Sequence, residues 1–204
     1  STGIGRQLGS GVVTTLDLTA SWPVDHVSAA VVTDAGVREE VGDTARVFEL
    51  ASVTKLLTAY AVLVAVEEGA VELDQPAGPE GSTVRHLLAH ASGLAFGERK
   101  VQAPAGTKRI YSSAGFEVLA ELIEAESGIT FPDYLDEAVC GPLGMVDTSL
   151  PGSAGHGARS SVADLTKFAA ELLQPSLLAP QTFSSAVDVQ FPGLNGIVPG
   201  YGSH

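Results

Sequence analysis

The sequence has 204 residues, of which 45% are hydrophobic and 17% charged, so it can form one large domain or two small ones with a hydrophobic core and is not a disordered chain. Its 24 acidic and 11 basic residues give a formal net charge of −13, which repels nucleic-acid phosphates and anionic membrane surfaces. No apolar run approaches the roughly eighteen residues of a membrane-spanning helix, so we expect neither a nucleic-acid partner nor a membrane span.

The first 51 residues are predicted to supply the strands of a sheet. The predicted strands are residues 12–18, 27–33, 37–41 and 47–50. Between the second and the third, Asp34-Ala35-Gly36 predicts a hairpin turn in which the glycine takes a positive φ. The last strand runs directly into Ala51-Ser52.

A helical body is predicted over residues 52–175. The predicted helices are residues 52–68, 84–91, 114–126, 131–139 and 165–173. Thr83, Thr130 and Ser161 stand where N-cap side chains belong. The first helix is apolar on nearly all sides, which is typical of a helix buried at the centre of a domain. Proline and glycine punctuate residues 176–204, which are therefore predicted to form a loop.

The start of the first helix carries the strongest chemical pattern, Ser52-Val53-Thr54-Lys55. A serine in the first helical turn lies beside backbone N–H groups that favour negative charge. A lysine three residues later lies one turn along the same face, so its amine can approach the serine hydroxyl and accept its proton. Serine-x-x-lysine is also common by chance, however, and the alternative is a helix cap followed by a surface lysine.

Cysteine and histidine give no sign of a metal or a cofactor. Cys140 is the only cysteine, so neither an internal disulfide nor a cysteine zinc site is possible. His86 and His90 have metal-ligand spacing on a predicted helix, but Leu87 stands where a zinc protease has glutamate. The sequence does not begin with a signal-peptide pattern, which leaves open a cytoplasmic protein and an exported one whose signal has been removed.

Five segments together resemble the class C β-lactamases and their penicillin-binding and esterase relatives. The segments are residues 48–55, 85–94, 110–116, 140–149 and 157–168. In order, they are similar to the family's active-site serine segment, its "LLxHxSGL" segment, its tyrosine-x-asparagine motif, its "PLGM-x-DT-S" turn and the helix start that follows. The resemblance implies an α+β fold of the β-lactamase/transpeptidase type, with an antiparallel sheet flanked by helices and a separate all-helical region.

The same resemblance implies a serine hydrolase that works through an acyl-enzyme on an amide, β-lactam or ester substrate. Ser52 would be the nucleophile, with its own backbone N–H as one oxyanion donor. Lys55 would share the proton of Ser52, and Tyr111 would act as the second acid or base. The alternatives are a carboxylesterase or D-amino-acid peptidase on the same site, or a non-catalytic binding homologue.

Two departures from the family pattern stand out. Ser113 occupies the position at which the family usually has asparagine, so it either faces the substrate or simply caps the helix that follows. The third motif, lysine- or histidine-x-glycine on a late strand, is matched by none of the lysines or histidines. We therefore expect residues 1–204 to be the N-terminal portion of a single β-lactamase-like domain that lacks its C-terminal strands. A second chain carrying that C-terminal part is the expected partner, and a truncated, inactive homologue is the alternative.

Overall fold

Short strands and helices are distributed along residues 15–194 and 196–197, which this computed structural model describes. The helices are α1 (Thr54–Glu67), α2 (Val84–Leu88), α3 (Ala114–Ser127), α4 (Phe131–Leu135), α5 (Val162–Leu173) and α6 (Pro180–Val187). The strands are β1 (Ala29–Thr33), β2 (Gly36–Val41), β3 (Val47–Glu49), β4 (Arg109–Ile110), β5 (Arg159–Ser161) and β6 (Gly196–Ile197). Among these residues every helix is too short or too polar to cross a bilayer.

The strands pair two by two within the described part of the chain. β1 and β2 form the predicted antiparallel hairpin, from Ala29 opposite Val41 to Thr33 opposite Gly36, and Gly36 has a φ of +107°. β3 pairs antiparallel with β5, and β4 pairs parallel with β6. The predicted strand at residues 12–18 is wrong where it can be checked, because Thr15–Ser21 is a 3₁₀ helix; the rest of that strand lies outside the described residues.

Helix α1 lies at the centre of the hydrophobic core, as its apolar surface predicted. Leu57, Ala61, Val62 and Ala65 have no exposed surface, and side chains of α3 and α4 surround them. Burying a leucine or valine side chain stabilises a fold by roughly 1.5–3 kcal/mol, so this cluster holds the helix in place. The position of residues at the start of α1 is therefore fixed by packing along its length.

The predicted N-caps are confirmed, whereas several helix ends differ from prediction. Thr83, Thr130 and Ser161 each accept a hydrogen bond from a backbone N–H of the first turn. Helix α2 ends at Leu88 rather than at residue 91, and α4 gives way to a π-type turn at residue 136. Capping residues are thus easier to predict than helix ends, which depend on the fold around them.

The prediction of a continuous loop over residues 176–204 is wrong, because it contains α6. Pro180 stands at the start of this helix, where a missing N–H needs no partner and a fixed φ already suits the helix. The N–H of Ala179 donates to Oε1 of Glu67 over 2.7 Å, and Phe183 packs against the core. These tertiary contacts fix the short helix on the end of α1.

Candidate active site

Ser52 lies in a 3₁₀ turn, Ala51–Val53, between β3 and α1. Its side chain is exposed, while the preceding Leu50 is buried and donates its N–H to the carbonyl of Ala158 over 2.9 Å. Ala51 has a φ of +45°, a left-handed conformation that costs an L-residue about 1–2 kcal/mol. The backbone is therefore held in a strained turn that leaves the hydroxyl of Ser52 accessible.

Lys55 is buried, with only 5% of its surface exposed, so the alternative of a surface lysine is wrong. Its Nζ donates three hydrogen bonds: to the carbonyl of Gly155 at 2.7 Å, to Oγ of Ser113 at 3.0 Å and to Oγ of Ser52 at 3.3 Å. These three bonds use the three donors of an ammonium group. No carboxylate in the described part of the chain forms an ion pair with Lys55, so its charge faces neutral dipoles and the Ser52 hydroxyl.

Tyr111 meets Lys55 through the face of its ring. Nζ of Lys55 lies 4.6 Å from the Tyr111 ring centroid and 5.6 Å from that of Phe116, which are distances of cation–π contact. Phe96 stacks on Tyr111 with ring centroids 5.9 Å apart. The structure thus brings Ser52, Lys55 and Tyr111 together, with the ammonium between the hydroxyl and the aromatic rings.

Ser113 is buried and its hydroxyl accepts a hydrogen bond from Lys55. It makes no capping bond to α3, so the alternative that it is a plain helix cap is wrong. The neighbouring Ser112 bonds the first turn of α3 instead. Its Oγ accepts from the N–H of Gly115 at 3.0 Å and donates to the carbonyl of Ala95 at 2.7 Å. One serine of the motif therefore anchors the helix, and the next is free to contact Lys55.

Sequence reasoning missed Gly155, whose carbonyl is the shortest contact of Lys55. A Cβ atom on Gly155 would lie 2.8 Å from Cβ of Ser113, so no larger residue fits there without movement. The spacing of Gly152 and Gly155 does not fit a nucleophile elbow, so that pattern does not indicate this contact. The signal that could have found Gly155 is the density of glycine just before β5, which permits close backbone approach.

Two threonines of α1 hold the loop that contains Gly155. Oγ1 of Thr58 donates to the carbonyl of Ala154 over 2.7 Å, and Oγ1 of Thr54 accepts from the N–H of Ala158 over 3.0 Å. Both threonines are fully buried. Because these bonds flank Gly155, they fix its carbonyl against the amine of Lys55.

A cavity of about 650 Å³ opens beside Ser52. Its walls include Ser52, Phe96, Ser113, Gly152, His156 and Arg159. Arg159 pairs with Glu49 across 3.0 Å at an exposed position of the rim. The volume suits a small molecule, and the serine hydroxyl lies at its wall. A second cavity of about 540 Å³, between α1, α2 and α6, contains neither Ser52 nor Lys55.

His90 lies at the end of α2 in a left-handed conformation, with a φ of +58°. The N–H of Ala91 donates to the carbonyl of His86 at 2.7 Å and that of His90 to the carbonyl of Leu87 at 3.2 Å. This is a Schellman motif, in which His90 holds the position usually taken by glycine. Burial, with smaller contributions from the charges of Lys55 and Arg109, lowers the pKa of His90 to about 4, so its ring is neutral at pH 7.

The two histidines that have metal-ligand spacing in the sequence lie in different surroundings. His86 stacks on Phe191 at 4.5 Å, whereas the ring of His90 lies against Tyr111 at 4.6 Å. The helix ends between them, so they do not share a helical face. Within residues 15–194 no group of three histidine, cysteine, aspartate or glutamate side chains is arranged to hold a metal ion.

The family model described as Beta-lactamase matches residues 25–202, which include all of these site residues. The chain belongs to the β-lactamase family. The crystal structure of a β-lactamase from Mycobacterium bovis is 58% identical to it, with a TM-score of 0.91 over 93% of this chain and 71% of that one. The predicted α+β fold of the β-lactamase/transpeptidase type is thereby confirmed.

Two curated members of the family match over shorter regions. Penicillin-binding protein 4* of Bacillus subtilis is 29% identical over 52% of this chain and 31% of its own length. A D-alanyl-D-alanine-carboxypeptidase/endopeptidase of Escherichia coli K12 is 25% identical over 58% of this chain and 40% of its own length. The chain thus spans less than half the length of either relative.

Proposed function

We propose that this member of the family of serine hydrolases acts through an acyl-enzyme on Ser52. The observation that carries the proposal is the contact between the buried amine of Lys55 and the exposed hydroxyl of Ser52, 3.3 Å apart at the edge of a cavity. A serine hydroxyl is a weak nucleophile until a neighbouring base takes its proton. Lys55 is the base within reach, and its position is fixed by two further hydrogen bonds.

In the first step Oγ of Ser52 attacks the carbonyl carbon of an amide, β-lactam or ester, while its proton passes to the amine of Lys55, which must have released one of its own protons for this step. The tetrahedral intermediate then collapses, the bond from carbon to the leaving nitrogen or oxygen breaks, and the leaving group takes up a proton. Tyr111, whose ring lies against Lys55, is the proposed second acid or base in that transfer. Water attacks the acyl-enzyme in the second half of the reaction and restores Ser52.

The backbone N–H of Ser52 would be one donor of the oxyanion hole. A second donor would come from a strand with lysine- or histidine-x-glycine, a motif that residues 1–204 do not contain. The greater length of the relatives agrees with a further segment of this kind, supplied within the same polypeptide or by a second chain. Full activity would then require that segment.

Intact-mass measurement after incubation with a fluorophosphonate tests the nucleophile. We expect one adduct on Ser52, and none with Ser52→Ala or Lys55→Met. Ser184→Ala and Lys100→Met are matched controls, because both residues are exposed and lie outside the cavity. Measuring residues 1–204 alone and together with a segment carrying the third motif separates an incomplete site from an inactive one. If Ser52 is unlabelled in both, the chain is a non-catalytic homologue.

A carboxylesterase or D-amino-acid peptidase is the second candidate, and Ser113 favours the ester. Its single hydroxyl already accepts a bond from Lys55, so it offers less to a substrate amide than an asparagine would. Turnover of nitrocefin, a p-nitrophenyl ester and a D-alanyl-D-alanine peptide, measured side by side, ranks the three substrate classes. A Ser113→Asn variant that gains nitrocefin turnover relative to ester turnover would support this role of Ser113.

A further inference from the structure

His90 accepts hydrogen bonds from the backbone N–H groups of the two residues that flank Tyr111. The N–H of Ser112 donates to Nδ1 of His90 over 3.1 Å, and the N–H of Ile110 donates to the carbonyl of His90 over 2.8 Å. The two bonds fix the peptide group that follows Tyr111 and the one between Arg109 and Ile110. The segment that presents Tyr111 to Lys55 is therefore tied to the end of α2.

The ring of His90 also packs directly against the aromatic groups of the site. Its centroid lies 4.6 Å from that of Tyr111 and 5.3 Å from that of Phe116. Phe96 stacks on Tyr111 as well, so two rings fix the plane of the tyrosine. The same rings, Tyr111 and Phe116, are the ones that the amine of Lys55 approaches.

The backbone conformation of His90 points to a requirement for its side chain. A left-handed C′ residue is usually glycine and sometimes asparagine, because other side chains are strained there. His90 keeps a β-carbon and a large ring in this position at a φ of +58°. Strain of this kind persists where the side chain does something that glycine cannot.

On this basis, and resting on the function proposed above, we propose that His90 is a positioning residue for the Tyr111-Ser112-Ser113 segment, acting through Nδ1 as a neutral acceptor. An accepting Nδ1 requires the ring proton on Nε2. Protonation of the ring would turn Nδ1 into a donor facing the N–H of Ser112 and would break that bond. It would also place a second positive charge beside Lys55.

The groups around His90 keep the ring neutral. Burial is the main cause of the lowered pKa of His90, and the positive charges of Lys55 on α1 and Arg109 on β4 further disfavour protonation of its ring. Tyr111 and Phe116 cover the ring with aromatic surface. His86, on the same helix, is turned toward Phe191 and Thr83 instead. The acceptor is thus available throughout the range in which a hydrolase normally works.

Three variants separate the acceptor from the ring. His90→Phe keeps an aromatic ring and loses the acceptor, whereas His90→Asn keeps an acceptor near the position of Nδ1 and suits a left-handed backbone. His86→Phe is the matched control. We expect fluorophosphonate labelling of Ser52 to slow by roughly 10- to 100-fold in His90→Phe, since small displacements of reacting groups have effects of this size. His90→Asn should recover most of that loss, and His86→Phe should match the wild type.

The pH dependence of Ser52 labelling distinguishes this role of His90 from a merely structural one. Labelling of the wild type should fall as the pH drops toward 4, relative to His90→Asn, which has no ring to protonate. The ring nitrogen shifts of His90 in NMR at pH 7, which do not depend on catalysis, should show the proton on Nε2. A proton on Nδ1, or equal labelling of His90→Phe and wild type, would overturn the inference. Labelling of His90→Asn no faster than His90→Phe would also overturn it. A wild type that shows the expected tautomer but stays unlabelled even with a segment carrying the third motif would refute the proposed function instead.

Discussion

Lys55 of α1 and Glu171, which bonds Tyr60 of α1, are both buried, and their hydrogen-bond networks differ in whether they reach the surface. Glu171 accepts four hydrogen bonds, from the hydroxyls of Tyr60 and Ser176 and from the backbone N–H groups of Ser176 and Leu177, at 2.6–2.8 Å. Lys55 also has its donors occupied, but its longest contact is to Ser52, whose hydroxyl is exposed. A closed network of this kind stabilises the fold, whereas the open one leaves the hydroxyl of Ser52 accessible to a ligand.

We expect the largest effect from a substitution of Lys55, which lies at the centre of the open network. Lys55→Met replaces the amine by an apolar side chain of similar length, and we expect fluorophosphonate labelling of Ser52 to fall by about 10³-fold or more, because the base is lost. The change removes the desolvation cost of a buried charge but leaves the carbonyl of Gly155 and the hydroxyl of Ser113 without their donor, so thermal denaturation should show a Tm close to that of the wild type. Loss of labelling together with a large drop in Tm would mean that Lys55 is structural.

The next effect tests the backbone that supports Lys55. Gly155→Ala introduces a Cβ atom 2.8 Å from Cβ of Ser113, so the carbonyl that accepts from Lys55 must move. We expect labelling to slow by roughly 10- to 100-fold and stability to fall by about 1–3 kcal/mol.

Gly97→Ala is the control for that substitution, because Gly97 has open space around its β position and no positive φ. It should leave the labelling rate unchanged and the denaturant midpoint unchanged or slightly raised, because alanine restricts the unfolded chain more than glycine does. Equal behaviour of the two variants would show that the close approach of Gly155 to Ser113 does not matter for the site.

Gly155 also illustrates what the sequence could and could not predict. Ser52, Lys55 and Tyr111 could be proposed from the sequence because the chemistry and the family patterns are local in sequence. The carbonyl of Gly155 lies 100 positions from Lys55, and any residue has a carbonyl, so no residue type identifies it. The close contact with Ser113 requires a residue without a side chain at position 155, and the glycine there is the only sign of this contact in the sequence.

The same limit applies to the fold. The hairpin of β1 and β2 was predictable because its turn is local, and so were the caps Thr83, Thr130 and Ser161. By contrast, α6 was missed, because its contacts with Glu67 and the core are tertiary. The early end of α2 was missed for a related reason, since His90 adopts a glycine-like conformation that its residue type does not predict.

A smaller effect is expected from the closed network. Glu171→Gln removes the charge while nearly preserving shape, and we expect a loss of about 1–3 kcal/mol in the free energy of unfolding, from weaker hydrogen bonds. Although burial acts to raise the pKa of Glu171, hydrogen bonds from Ser176, Tyr60 and the backbone outweigh it and lower the pKa below its usual value. The stabilisation is therefore present above the pKa of unfolded glutamate and lost as pH falls through the lower, folded value.

Urea denaturation as a function of pH checks this prediction. The difference in stability between wild type and Glu171→Gln should be full at pH 7 and should shrink at acid pH, where the wild-type carboxyl becomes protonated. The labelling rate of Ser52 should be the same in both proteins at pH 7, where both are folded. A slower rate in folded Glu171→Gln would mean that the two networks are coupled through α1.

The smallest effect concerns the strained turn in front of Ser52. Ala51 has a φ of +45°, so Ala51→Gly relieves a left-handed strain of about 1–2 kcal/mol while increasing the entropy of the unfolded chain by somewhat less. We expect a net gain of up to about 1 kcal/mol in stability. Ala35→Gly, in the exposed hairpin turn and without a positive φ, lacks the strain and should destabilise instead. Opposite signs for the two variants in urea denaturation would establish that the turn before Ser52 is strained, and a loss of stability in Ala51→Gly would show that it is not.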